Sequence, residues 1–184
     1  IIITSVSDKE YIISQHKVNP DKITIIPNGV DIESFKILKD VKKEQGRILF
    51  VGRLTEQKNI FSLLEAVKNI KNTHLVLIGM GHLKDEIVNK ATADKINITF
   101  IDSVNNNKLP IEYNKSEVFV LPSFFEGNPK VLIEAMACGT VVIGSNRDGI
   151  NSMIKNRVNG ILCEPTSEKI RDSILEVLNN RAFA

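Results

Sequence analysis

Val118 to Ser145, VFVLPSFFEGNPKVLIEAMACGTVVIGS, reads as strand, loop, helix and strand, with nearly all of its polarity collected where the first strand ends. Val118 to Leu121 is an unbroken β-branched and aromatic run, the composition of a strand covered on both faces in the middle of a parallel sheet. Asn128 offers an N-cap and Pro129 the favoured first helical position, which predicts a helix from there to near Gly139. Between Val131 and Cys138 that helix holds one charge, Glu134, in an otherwise apolar series. A helix apolar nearly all round is buried, and a buried carboxylate without partners costs several kcal/mol. Glu134 therefore requires hydrogen-bond donors.

Two sources are available. One is Lys130, a turn earlier, although Lys before Glu is the weaker orientation at this spacing and an exposed pair contributes little. The other is a ligand. Glu126 lies in the loop beyond the strand's carboxyl end, where parallel sheets bind ligands. Two carboxylates and a helix N-terminus would then face one crevice: the helix end receives an anion and the carboxylates receive hydroxyls. A ligand with phosphate and several hydroxyls, such as a nucleotide sugar, fits that inventory.

At these residues the chain resembles a known family. EGNPKVLIEAMACG at 126–139 is similar to the Glu, seven residues, Glu signature of the family 4 retaining glycosyltransferases, in the carboxy-terminal, donor-binding half of the two-domain GT-B fold. The resemblance continues through IIPNGVD at 25–31, VGRLTEQKN at 51–59, LVLIGMGHLKDEI at 75–87 and NGILCEP at 159–165, in the family's order and at about its spacing. It implies that residues 1–184 form a single nucleotide-sugar-binding domain, with residues 1–16 the crossover from an acceptor-binding amino-terminal domain that the chain lacks. The function implied is transfer of a sugar from a UDP- or GDP-linked donor to a glycan or lipid-linked acceptor, with the fragment inactive in transfer by itself. The full-length protein would be cytoplasmic, with peripheral association at the inner face of the plasma membrane.

The composition agrees with a soluble domain. With 184 residues, 42% apolar and 25% charged, the chain can bury a substantial core. A net charge of +2 does not imply nucleic acid, and the densest basic cluster, Lys39, Lys42 and Lys43, reads as a solvated loop. Cys138 and Cys163 have no metal-ligand spacing and read as small buried hydrophobes, suited to a reducing cytosol. No apolar run approaches the ~18 residues of a membrane span.

Along the chain, strands are expected at 1–5, 23–26, 47–51, 75–78, 98–101, 118–121 and 161–163, alternating with helices at βαβ spacing. The fold class is therefore α/β: a doubly wound, Rossmann-like domain with a mainly parallel sheet and helices on both faces. Ser7 with Glu10 forms a capping box, Asn59 caps a helix carrying Leu63, Leu64, Val67 and Ile70, and Ser167 caps the last helix. Pro27, Asn28 and Gly29 make a turn, which the resemblance places in the interdomain hinge region. Gly79 and Gly81 after a strand, with Asp102 ending the next, imitate a dinucleotide fingerprint, but Lys84 stands at the third glycine position. Met80 and His82 occupy places where the family usually has an acidic residue and a proline. His82 reads as a loop residue, with no partner acid suggested by spacing.

Gly52, Arg53 and Lys58 complete the candidate site. Two cations at a buried strand's carboxyl end suit a diphosphate, Arg as a planar fork and Lys as a point charge. By resemblance, Arg53 and Lys58 bind the donor diphosphate, Glu134 accepts the ribose hydroxyls, and Glu126 with the backbone of Gly127 and Asn128 holds the donor sugar. Arg53, Lys58 and the amides of Lys130 and Val131 would stabilise the departing diphosphate, which makes a metal or other cofactor unnecessary. Two other readings stand beside this one: a non-catalytic nucleotide-binding module, and, from Gly79, Gly81 and Asp102, half of a dinucleotide oxidoreductase.

Overall fold

The computed structural model describes residues 1–180. Its centre is a six-stranded, wholly parallel sheet made of β3 (Arg47–Val51), β4 (His74–Ile78), β5 (Ile98–Ile101), β6 (Val118–Leu121), β7 (Val141–Ser145) and β8 (Ile161–Cys163). The order across the sheet is β5-β4-β3-β6-β7-β8. The chain starts in the middle at β3, winds outward to β5, returns to the middle at β6 and winds out the other way. β3 and β6 are thus neighbours, Ile48 opposite Val118, at the point where the winding reverses. Ligands of open parallel sheets bind at that switch.

The two central strands are covered on both faces, every residue of β3 and β6 being buried, which is why they are apolar apart from Arg47 at the start of β3. α2 (Ile60–Val67) packs on α6 (Ser167–Asn179), and α4 (Leu109–Lys115) packs on α5 (Lys130–Ala137); α3 (Lys84–Ala93) lies against α2. Ahead of this body, β1 (Ile2–Ile3) and β2 (Thr24–Ile25) form a separate parallel pair joined by α1 (Val6–His16), which buries none of its residues.

Several caps differ from expectation. Ser5, not Ser7, caps α1 and accepts from the Asp8 amide at 3.1 Å. Thr166, not Ser167, caps α6 and accepts from the Lys169 amide. In both places two competent residues stand close together, and the chain's extended approach selects the earlier one. α5 begins at Lys130 with Pro129 at the cap position, so Asn128 is not the cap; its side chain accepts from the Asn28 amide at 3.1 Å. Asn59 precedes α2 in a left-handed conformation (φ 53°) and makes no cap bond. Its buried amide instead donates to the carbonyls of Pro122 and Pro165, at 3.2 and 2.8 Å. α5 is also less enclosed than its composition suggests: Leu132, Glu134 and Ala135 are buried, whereas Val131, Ile133, Met136 and Ala137 are half-buried. Lys39 and Lys42 are exposed, while the Lys43 Nζ donates to the Ser116 carbonyl at 3.0 Å.

Candidate functional site

The switch point brings the sequence-predicted residues together from two segments. After β3 the chain turns through Gly52 and Arg53 into a short 3₁₀ turn, Glu56–Lys58; after β6 it runs through Ser123 to Asn128. The two loops are tied by backbone. The Phe124 amide donates to the Gln57 carbonyl at 2.9 Å, and the Gln57 side chain donates to the Phe125 carbonyl at 2.8 Å. With the loops held so, Lys58 Nζ reaches Glu126 Oε1 at 2.5 Å, the side chains only 12% and 9% exposed. This is a largely desolvated, charge-assisted pair. By resemblance Lys58 goes to the donor diphosphate and Glu126 to the donor sugar, which does not indicate that the two side chains meet.

Arg53 is the opposite case. It is exposed, and among the described residues its guanidinium has no hydrogen-bond or ion-pair partner. The amides of Gly127, Asn128, Lys130 and Val131 likewise donate to no protein acceptor among the described residues; Pro129, between them, has no N–H. Free amides at a helix start attract anions and polar oxygens.

Glu134, in the second turn of α5, is buried at 4% exposure. Lys130 Nζ lies 3.7 Å from its Oε1, so the lysine pair considered from sequence is present, though loose, and its lysine is half exposed. The stronger partner is one that sequence reasoning missed. Tyr113, on α4, donates its phenol to Glu134 Oε2 at 3.0 Å. The available signal was a tyrosine on the inward side of a short helix, because a buried phenol needs an acceptor. Burial, and then the Glu134 charge, push the Tyr113 phenol far above its ordinary range, so it remains a donor. The same two causes push the buried Cys138 thiol up to about 11.

Two glycines permit the close approaches that shape the site. Gly149, at φ 82°, lies under the backbone of the 123–128 loop: a Cβ there would sit 2.0 Å from the carbonyl oxygen of Glu126, a residue whose amide donates to the Asp148 carbonyl at 3.2 Å. Gly79, at φ 146°, would place a Cβ 1.9 Å from the Gly52 carbonyl. The ends of β3 and β4 therefore meet backbone to backbone and floor an open, mainly apolar cleft of about 560 Å³ that Arg53, Met80, Asp102, Val104 and Leu109 help to line.

Asp102 in that cleft pairs with Lys84 Nζ at 2.5 Å, so the acid of the imitation dinucleotide fingerprint is already engaged by the residue that interrupts it. His82 does have an acidic partner. Its Nε2 lies 3.0 Å from both Glu56 carboxylate oxygens, a contact between two loops that spacing within either could not reveal. The hydrogen bond from His82 holds the Glu56 carboxyl below its usual range. The 27–29 turn docks on the site loop, Asn28 Nδ2 donating to the Asn128 carbonyl at 2.6 Å.

The family profile described as Glycosyl transferases group 1 matches residues 31–184. Over 85% of its length the chain is 36% identical to a UDP-Gal:alpha-D-GlcNAc-diphosphoundecaprenol alpha-1,3-galactosyltransferase of Escherichia coli, covering 45% of that protein. It is 32% identical, over 91% of its length and 47% of the relative's, to an N-acetylgalactosamine-N,N'-diacetylbacillosaminyl-diphospho-undecaprenol 4-alpha-N-acetylgalactosaminyltransferase of Campylobacter jejuni. Among solved structures, a sucrose-phosphate synthase from Thermosynechococcus elongatus superposes with a TM-score of 0.91 at 26% identity, over 100% of this chain and 50% of that one. The chain spans about half the length of the curated relatives it matches.

Proposed function

The chain belongs to the glycosyl transferases group 1 family, and from that premise we propose that it is the donor-binding domain of a retaining glycosyltransferase using a UDP- or GDP-sugar. The acceptor, a glycan or a lipid-linked glycan, would be held by a second domain; the two curated relatives carry diphospho-undecaprenol acceptors in their names and are about twice the length of the matched region. No helix among the described residues is long and apolar enough to cross a membrane. Peripheral association with the lipid-linked acceptor, at the cytoplasmic face, is part of the same proposal.

The observation that carries this reading is the meeting, at one switch point, of an arginine and a run of amides without protein partners among the described residues, beside a lysine already neutralised by Glu126. Breaking a sugar–diphosphate bond leaves growing negative charge on the departing phosphate oxygen. Arg53, the two remaining N–H donors of Lys58 and the amides of Lys130 and Val131 stabilise that charge as it develops. Glu126, with the backbone of Gly127 and Asn128, holds the sugar and supports positive character at the anomeric carbon; it is not assigned as a covalent nucleophile. Glu134 takes the ribose hydroxyls. No metal or other cofactor is required for this charge balance.

Calorimetric titration of UDP, GDP and NAD tests the assignment. A nucleoside diphosphate should bind, NAD should not, and Arg53→Ala should weaken the diphosphate by roughly 1.5–3 kcal/mol while leaving the bare nucleoside within about twofold. Binding of NAD in preference to both diphosphates, or an Arg53→Ala variant indistinguishable from wild type, refutes it.

A further inference from the structure

We infer that Tyr113 is a positioning residue for the nucleotide, acting through Glu134; this rests on the reading of Glu134 as acceptor of the ribose hydroxyls. An ionised carboxylate offers about four lone-pair positions. Among the described residues Glu134 meets only the Tyr113 phenol on Oε2 and the Lys130 ammonium, at 3.7 Å, on Oε1. A buried carboxylate left so under-occupied retains capacity for a ligand, and Tyr113 fixes which oxygen is spent and which remains.

The tyrosine is held firmly enough for that task. It is 0% exposed, with its ring edge-on to Phe119 of β6 (5.7 Å between centroids, 65°) and tilted against Phe35 (6.2 Å, 59°). Its carbonyl accepts the Thr140 hydroxyl at 2.7 Å, just before β7. The ring is therefore held by Phe119 of the central sheet and by Phe35, its backbone by Thr140, and the one polar bond it makes from its side chain is directed to Glu134. Without it, the Glu134 carboxylate could rotate about its last torsion, which is intrinsically broad, and lose the orientation in which Oε1 is presented. Phe119, in the centre of the sheet, extends the support of Glu134 back to the switch-point strand.

The test uses the tighter binder of UDP and GDP together with its 2′,3′-dideoxy form, titrated into wild type, Tyr113→Phe, Glu134→Gln and the double variant, with thermal melts in parallel. Tyr113→Phe should lower the preference for the hydroxylated ligand by about three- to tenfold, through loss of one charge-assisted hydrogen bond's orienting effect. Affinity for the dideoxy form should stay within about twofold. Added to Glu134→Gln, Tyr113→Phe should change neither affinity further. A purely structural tyrosine would weaken both ligands alike or neither, and either result overturns the inference. If Tyr113→Phe keeps the wild-type preference while Glu134→Gln loses it, the tyrosine role falls and the ribose reading stands. If Glu134→Gln keeps the preference, or the wild type has none, both fall.

Discussion

The Lys58–Glu126 pair gives the most quantitative handle on this site. Its atoms are 2.5 Å apart and the side chains 12% and 9% exposed, so solvent screening is weak and each charge depends on the other. Removing one partner from such a pair strands a desolvated charge, at a cost of about 3–5 kcal/mol, whereas replacing both by groups of similar volume is often close to neutral. Lys58→Met should therefore destabilise the fold by about 3–5 kcal/mol, a fall in Tm of about 6–20 °C for a domain of this size. Glu126→Gln should also destabilise, by less, since an amide still accepts from the ammonium. The double variant should recover most of the loss, giving a coupling energy of about 2–4 kcal/mol in a double-mutant cycle read by urea titration. Arg157 and Glu176, 3.1 Å apart but 66% and 31% exposed, supply the internal control. Breaking that surface pair should cost under about 1 kcal/mol. If Lys58→Met costs no more than the control and the cycle shows no coupling, the pair is not the desolvated element described, and the account of how Lys58 neutralises Glu126 fails.

Gly149→Ala should lower stability by about 1–3 kcal/mol and weaken nucleotide-sugar binding, because the new methyl group meets the Glu126 carbonyl at 2.0 Å from a left-handed backbone; melts and donor titration check both. Cys138, with its thiol near 11, should react very slowly with thiol reagents at pH 8 in the native state and rapidly in urea. Because its folded pKa lies above the ordinary thiol value, its stabilising contribution is complete below about pH 8.5 and is lost as pH rises towards 11; Cys138→Ala should flatten that alkaline decline in denaturant midpoint. Sugar transfer by the protein that carries this chain should survive excess EDTA, and complete, metal-reversible loss would show that a cation carries the diphosphate charge assigned here to Arg53 and Lys58.

The strands were legible because a parallel strand in mid-sheet, covered on both faces, is a continuous apolar run, as Val118–Leu121 is. Arg47–Val51, Ile98–Ile101 and Ile161–Cys163 also begin and end where the sequence predicts, although β3 opens on a buried arginine and the edge strand β5 exposes Thr99. Caps were less legible. Asn59 and Asn128 have the chemistry of helix caps, yet both side chains are taken by groups distant in sequence, Asn59 by the carbonyls of Pro122 and Pro165 and Asn128 by the Asn28 amide. Local pattern reports what a residue can do, and tertiary contact decides which capacity is used. The pairing of Glu134 with Tyr113 and of His82 with Glu56 was hidden for the same reason, since each joins two elements whose adjacency is a property of the winding.

That winding also explains why the site divides into paired and unpaired cations. Lys58 and Glu126 are 68 residues apart and meet only because the chain returns to the sheet centre and lays β6 beside β3. Once the tied loops bury them, neither charge is stable unpaired, so the ion pair must exist before any ligand arrives. Arg53, exposed at the end of β3, carries no such requirement and has no partner among the described residues. On the proposed donor-binding reading, an entering diphosphate would meet a carboxylate whose repulsion is already cancelled, a lysine with two N–H groups to spare, and a guanidinium able to close on it. On that reading the donors at the site would be Arg53 together with the spare N–H groups of Lys58, and the lysine would act while bound to Glu126 rather than after its release.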